Sequence, residues 1–320
     1  MQRRTFLAKL TALSSAALLP GCQGAAEPLR IASHLWPGYE FLFLARREGW
    51  ISPQDTQLIE SGSATASIRL LAAGQADGAA LTLDEMLGAR QRGLPLVAVL
   101  VFDISLGADV LLARPGTDTL AQLRGKRIGY ESSAVGALML HKALAAASLP
   151  RGDIKAVPVT HERHALAWRA GEVDALITFE PVSGQLEAEG AQRLFDSSRI
   201  PDTIFDILAV TTAALQRNPA ALRRLVAAHF QGLRNFHKNP NDTAYRLAER
   251  FKLPAREVIG AFKGLELPNE NRNLKLLRGD NAPIVKSARE LSDVLFDAGL
   301  LSARVSDFSR LFSADFIPRE

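Results

Sequence analysis

The 320-residue sequence predicts an α/β protein built as two similar lobes, and three observations carry that expectation. From residue 28 onward short apolar strands alternate with amphipathic helices, the rhythm of sheets covered by helices. The order strand, loop, helix, strand occurs twice, first from "LRIA" (29–32) and again from "KRIGYE" (126–131). Two distant stretches, "AAGQADGAALTLDE" (72–85) and "RAGEVDALITFEP" (169–181), also share a small residue, Gly, two residues, Asp, an apolar strand, Thr and then an acid. Glycine in that pattern stops a helix, and Asp opens the turn into the next strand.

In the first unit "LRIA" leads through "SHLWPGYEF" (33–41) into a helix ending near Gly49. Strand "TQLIE", loop "SGS", a helix over 64–73 and strand "GAALT" follow. In the second unit "KRIGYE" leads through "SSAVG" (132–136) to a helix near 134–147, then strand "KAVPV", loop "THE", a helix to Ala170 and strand "ALITF". "ADVLLAR" (108–114) leaves the first unit and "DILAVTT" (206–212) follows the second. Asn218 and Pro219 then read as N-cap and first-turn proline of a long helix. Further helices near 240–252, 254–263, 283–298 and 303–312 are expected to pack back on lobe one. Lobe two is then an insertion: lobe one takes 23–112 and 209–320, lobe two 113–208.

The first 22 residues are expected to lie outside the fold. "MQRRTFLAKLTALSSAALLPGC" has a basic start, an apolar middle and small residues before a cysteine, the layout of an export signal. "RRTFLAK" is similar to a twin-arginine motif and Leu19–Cys22 to a lipobox, from which Pro20 departs. Residues 6–20 are shorter than the roughly 20 apolar residues of a helical span, which argues against a transmembrane anchor. Cys22 is the only cysteine, so no internal disulfide can form, and its position suits attachment of a lipid anchor. Residues 1–22 hold three of the 38 basic residues and none of the 34 acids, leaving 35 against 34 in the rest. Such a balance gives no case for nucleic-acid binding.

"SHLWPGYEFLFLARREGW", "AAGQADGAALTLDEML", "QLRGKRIGYESSAVGALML" and "AGEVDALITFEPVSGQL", in that order in an exported chain, carry a family likeness. The sequence resembles the substrate-binding proteins of ABC importers of the nitrate/sulfonate/taurine type, including thiamine-precursor binders. The resemblance implies a type II periplasmic binding-protein fold, with a mixed sheet flanked by helices in each lobe. It also implies a monomer that closes on a small solute and delivers it to a membrane permease and ATPase. No Walker A pattern occurs, so this chain is not the ATPase, and no cofactor is called for. A ligand sensor docking on a membrane receptor, or an enzyme related to thiamine-precursor synthesis, are the alternatives. No nucleophile elbow or triad supports catalysis.

In open α/β sheets ligands sit at the carboxyl ends of strands. His34, Trp36 and Tyr39 occupy the first such corner, where the rings either wall a ligand or cover the core at the helix start. Ser63, Ala64 and Thr65 open a helix whose free N–H groups can hold an electronegative atom. Ser132, Ser133 and Val135 do the same in lobe two. Ordinary capping by serine is the competing reading. Asp84, Glu85, Asp103 and Asp109 in lobe one and Glu180 in lobe two would repel a bound anion in a dry cleft. They suggest a zwitterionic or amine-bearing ligand, unless they pair with Arg69, Arg163 or Lys126. His161 and His164 in "HERH" lack the partners of a metal site, and are expected to cap their helix or line the cleft.

Overall fold

The structure is a computed structural model that describes residues 27–131 and 134–319. The expected leader, Cys22, Ser132 and Ser133 lie outside the described residues.

The chain opens with β1 (Leu29–Ser33), a 3₁₀ turn (Pro37–Tyr39) and α1 (Glu40–Arg47). Next come β2 (Thr56–Glu60), α2 (Ala64–Ala72), β3 (Gly78–Thr82), α3 (Leu83–Gln91) and β4 (Leu96–Ser105). The chain then enters a second sheet through β5 (Val110–Ala113) and continues with β6 (Arg127–Tyr130), α4 (Ala134–Ala146) and β7 (Lys155–Pro158). Helix α5 (His164–Arg169), β8 (Ala175–Thr178), α6 (Val182–Ala188) and β9 (Gln192–Asp196) complete that sheet. The chain returns through β10 (Phe205–Thr211).

The first sheet has the order β11-β4-β10-β3-β1-β2 and the second β7-β6-β8-β5-β9, where β11 is Leu265–Glu266. In both, a parallel trio (β2-β1-β3 or β7-β6-β8) is joined by one antiparallel strand, β10 or β5, that arrives from the other lobe. The sheets are therefore copies of one topology. The copy extends to side chains. Arg30 at the start of β1 donates from Nε and Nη2 to Asp77 just before β3, and Arg127 does the same to Asp174 before β8, 47 residues apart in each case.

Strands β5 and β10 also place the crossings. Residues 110–112 were expected in lobe one but pair inside the second sheet, and 205–208 were expected in lobe two but pair inside the first. The crossings are thus 106–109 and 197–204. Ser105 and Ser197 tie them together, Oγ to Oγ at 2.7 Å, and the Gly107 N–H donates to Ser197 Oγ at 2.7 Å.

The rest of the chain forms α7 (Thr212–Arg217), α8 (Pro219–Lys238), α9 (Pro240–Phe251), α10 (Ala255–Val258), α11 (Glu270–Leu277) and α12 (Pro283–Asp297). These helices pack on lobe one as expected: α8 lies against α1, α11 against β4 and α12 against α3. Pro219 opens α8, but Asn218 gives no side-chain cap, because its Nδ2 donates instead to the Glu27 carbonyl at 2.5 Å. The helix expected over 303–312 is absent. That segment is irregular, with a turn at 309–310, and at its end Ala98 N–H donates to the Leu311 carbonyl and Ser313 N–H to the Ala98 carbonyl, an isolated parallel bridge to β4. Strand β4 itself is buried along all ten residues, covered on both faces.

Candidate functional site

A cavity of about 300 Å³ lies between the lobes, where the carboxyl ends of both parallel trios face each other. Lobe one supplies the turn after β1, the start of α2, the end of β3 and the start of β10. Lobe two supplies the start of α4, the 161–164 turn and the end of β8.

The turn after β1 puts Trp36 and Tyr39 at the wall. Tyr39 is fully buried and sends its hydroxyl to Asp206, while its ring packs on Phe102 at 5.1 Å. Trp36 donates Nε1–H to Asp103 Oδ2 at 3.0 Å and meets Phe179 of lobe two edge-on at 5.0 Å. The two readings of these rings therefore coincide: both belong to the core, and both line the cavity. Phe179 in turn stacks on His161 at 4.3 Å, so three flat groups border one side of the space.

Ser63 is an N-cap, accepting the Ala66 N–H at 3.2 Å, and with Ala64 it lines the cavity, so capping and lining coexist there. Thr65 does not line this cavity; it borders two neighbouring hollows beside Arg69. Val135 lines the cavity from lobe two.

Of the expected acids, Glu85 lines the cavity, and so does Asp109, named from the first crossing. Asp84 does not line the cavity; it borders a second hollow together with Arg69 and Arg92, and its buried Oδ2 has no partner. Asp103 sits inside β4 rather than at its end, one layer behind the wall under Trp36. Glu180 does not line the cavity; its carboxylate accepts the Gly184 N–H at 3.2 Å within the first turn of α6. The reason is register. Ile31 pairs with Gly78 in one lobe and Ile128 with Ala175 in the other, which matches Thr82 to Phe179 rather than to Thr178. The shared spelling Thr-then-acid is one residue out of step, and a one-residue slip moves a side chain to the other face.

Among the lining residues that the sequence reading did not place in the cavity are Asp206, Glu131, Glu162, Ser61 and Ile204. Asp206 lies cross-strand from Asp103 and accepts the Tyr39 hydroxyl. His161 and His164 do line the cleft, from lobe two, opposite His34 of lobe one. His164 is 1% exposed, pairs Nδ1 with Thr178 Oγ1 at 3.1 Å and leaves Nε2 without a partner. The Nδ1 atoms of His34 and His161 are likewise buried and unpaired.

Burial dominates the electrostatics. It pushes the Glu85 carboxyl up to about 8, helped by the charge of Asp84, and Asp103 up to about 7. Burial also raises Asp109 to about 6, and Asp206, beside the charge of Asp103, well above the ordinary carboxylate range. The same burial lowers His34 and His164 to about 4, so both imidazoles are neutral at pH 7 and can accept hydrogen bonds. No lysine or arginine is among the described residues lining the cavity. Among the described residues no three His, Cys, Asp or Glu side chains are arranged to hold a metal ion.

Two α/β lobes of one topology, joined by two crossings around a cavity at their facing strand ends, define the type II periplasmic binding-protein class. The family model described as NMT1/THI5 like matches residues 36–243, and the chain belongs to that family. A binding protein of Brucella abortus is 27% identical over 243 residues, covering 71% of this chain and 72% of the relative. Among solved structures, the periplasmic aliphatic sulphonate-binding protein SsuA of Escherichia coli superposes with a TM-score of 0.75. It shares 18% identity and covers 91% of this chain and 99% of its own. The alkanesulfonate-binding protein SsuA of Xanthomonas axonopodis pv. citri, bound to MOPS, gives 0.74 at 20% identity over 88% and 97%.

Proposed function

We propose that the protein is the exported solute-binding component of an ABC importer, holding a small organic solute between its lobes and passing it to a membrane permease. The observation that carries this reading is the inter-lobe cavity of about 300 Å³, walled by both lobes and by no single one. Its size falls at the lower end of small-molecule sites, which suits a compact solute. Two crossings tied by Ser105 and Ser197 form the joint on which such lobes open and close. Ligand contacts in this reading come from His34, Trp36, Tyr39, Ser63, Ala64, Glu85 and Val135, joined by Asp109, Asp206, His161 and His164. The protein acts by binding and release, anchored in the periplasm through a lipid on Cys22, as its leader suggests. Sulfonate- and nitrogen-bearing solutes are the classes its relatives bring into consideration.

A thermal-shift screen of the chain from residue 23 onward against sulfonates, amino-sulfonates, pyrimidines, polyamines and small amides tests the reading. A solute at 100 times its dissociation constant stabilises the native state by about 2.7 kcal/mol, a clear shift in melting temperature. A panel that leaves the melting curve unmoved, or a hit insensitive to Trp36→Ala, would count against the cleft as the binding site.

A further inference from the structure

We propose that the cleft selects a small organic cation, an ammonium or amidinium on a flat or apolar body, and turns away simple sulfonates and nitrate. This rests on the reading of the cleft as a solute site and names the chemistry that site recognises.

Hydrogen-bond polarity supplies the first argument. Carboxyl groups line the cavity wall from both lobes and the first crossing: Glu85, Asp109, Asp206 and Glu162. Opposing basic side chains are missing from the described lining, and the three histidines that could have served as cations are held neutral by burial. The strongest donors at the wall are already engaged, Trp36 Nε1–H by Asp103 and the Tyr39 hydroxyl by Asp206. In the tautomers that leave the unpaired histidine ring nitrogens unprotonated, what is left over accepts. His164, buried in all but 1% of its surface, has an unpartnered Nε2, and His34 and His161 each have an unpartnered Nδ1. Buried polar atoms without partners are costly, so such a set is completed by a ligand that brings N–H groups.

Charge balance supplies the second. Crowding in a desolvated space favours the protonated form of these carboxyls; a cation draws out their ionised form, whereas an incoming anion opposes it. Shape supplies the third. Trp36, Phe179 and His161 form a continuous aromatic side, with ring contacts at 5.0 Å and 4.3 Å, that suits the flat or apolar body of such a cation and adds cation–π attraction. Sulfonate would find the starts of α2 and α4 and the Ser61, Ser63, Thr82 and Thr178 hydroxyls, but Ser63 Oγ is already an acceptor for Ala66, Thr178 Oγ1 is paired with His164, and the anion's charge would lie beside the wall carboxyls.

The test is calorimetry on the purified chain with benzamidine, benzylamine and choline against benzenesulfonate and nitrate, at pH 6 and pH 8. Saturable binding of at least one cation is expected, tightening by about tenfold or more between the two pH values, because the cleft carboxyls must release protons to receive it. An anion would show the reverse slope, taking up protons. Asp206→Asn is expected to abolish cation binding. Since that residue is buried against Asp103 and Tyr39, Glu85→Gln provides the second variant. It keeps an acceptor for the Thr82 N–H, now at 2.9 Å from Glu85 Oε2, and is expected to weaken the cation about tenfold. Tighter binding of benzenesulfonate or nitrate than of any cation, lost in Trp36→Ala, would overturn the charge assignment and leave the solute-binding reading standing. Failure of all three cations also overturns the assignment; if the wider thermal-shift panel is silent as well, the solute-binding reading falls with it.

Discussion

Gly38 and Asp103 are packed so closely that a β-carbon added at position 38 would stand 1.8 Å from Asp103 Oδ2. The same Oδ2 accepts the Trp36 indole N–H, two residues back in the chain. Glycine in the Pro37–Tyr39 turn is therefore what lets a β4 carboxyl reach the ring that walls the cleft. Gly38→Ala must displace Asp103, which is 0% exposed and has no open space to turn into. We expect a loss of about 1–3 kcal/mol, the usual cost of overpacking a core. Denaturant unfolding of the variant measures it, and an unchanged midpoint would mean that the carboxyl moves freely.

The paired motifs Arg30–Asp77 and Arg127–Asp174 have one geometry but unequal surroundings. The Asp77 side chain is 6% exposed and takes a second arginine, Arg217, at 2.6 Å, whereas Asp174 is 28% exposed with Arg127 as its partner. Asp77→Ala strands two guanidinium groups beside a nearly dry site and is expected to cost about 3 kcal/mol. Asp174→Ala, in a better solvated place, is expected to cost about 1 kcal/mol. Thermal melts of the two variants side by side give the comparison, and equal losses would show that burial is not what separates the lobes.

Much of this was legible in the sequence because it is local. Strand-helix alternation, the glycine stops before Asp77 and Asp174, and the Pro219 helix start need only neighbours a few residues away. The lobes and their copy relation followed. Asp206 did not, because its place depends on β10 lying between β3 and β4, partners more than 100 residues distant in the chain, and "FDILAVT" spells an ordinary strand. Glu180 misled for the opposite reason. Its motif reads like that of Glu85, yet the sheet register decides which face an acid meets, and the register is set by the pairing of Ile128 with Ala175. The irregular 303–312 segment is a third case: its helical spacing goes unused, and its end is held by the bridge that Ala98 offers.

Raised carboxyls in the cleft make the ligand-free protein sensitive to base. Glu85 titrates at about 8 and Asp103 at about 7 when folded, against about 4 in an unfolded chain. Between those limits the native state holds more protons, so their stabilising contribution is full below pH 4 and is lost as pH rises through 7 and 8. His34, His164 and His229 act with the opposite sign. Their folded values of about 4, 4 and 3 lie below the ordinary 6.5, so their contribution is full above 6.5 and lost as pH falls through about 4 to 3. From about pH 7.5 to 8.5 the histidines are neutral in both states and the acids alone act. Melting temperature without ligand is expected to fall across that interval, by up to about 1.4 kcal/mol per pH unit for each proton released. Glu85→Gln should flatten the slope, and a rising or flat curve in the unmodified protein would contradict the raised values.

Gly264 ties the first crossing to lobe one. It holds φ at +80°, accepts the Leu106 N–H on its carbonyl at 2.7 Å, and a β-carbon there would sit 2.6 Å from both Ala108 N and the Gly107 carbonyl carbon. Gly264→Ala therefore pushes on residues 106–109, whose last member, Asp109, is a wall of the cavity. Gly279 offers a control. Its φ is +87°, but nothing lies within 4 Å of its added β-carbon, so Gly279→Ala carries left-handed strain of about 1 kcal/mol without a collision. Both variants are expected to melt lower than the unmodified protein, while Gly264→Ala alone weakens solute binding, by about tenfold if the shift of Asp109 removes about 1.4 kcal/mol of contact. Melting curves and calorimetry on the pair separate strain from displacement, and equal affinities would mean that the crossing moves without carrying the cavity wall with it.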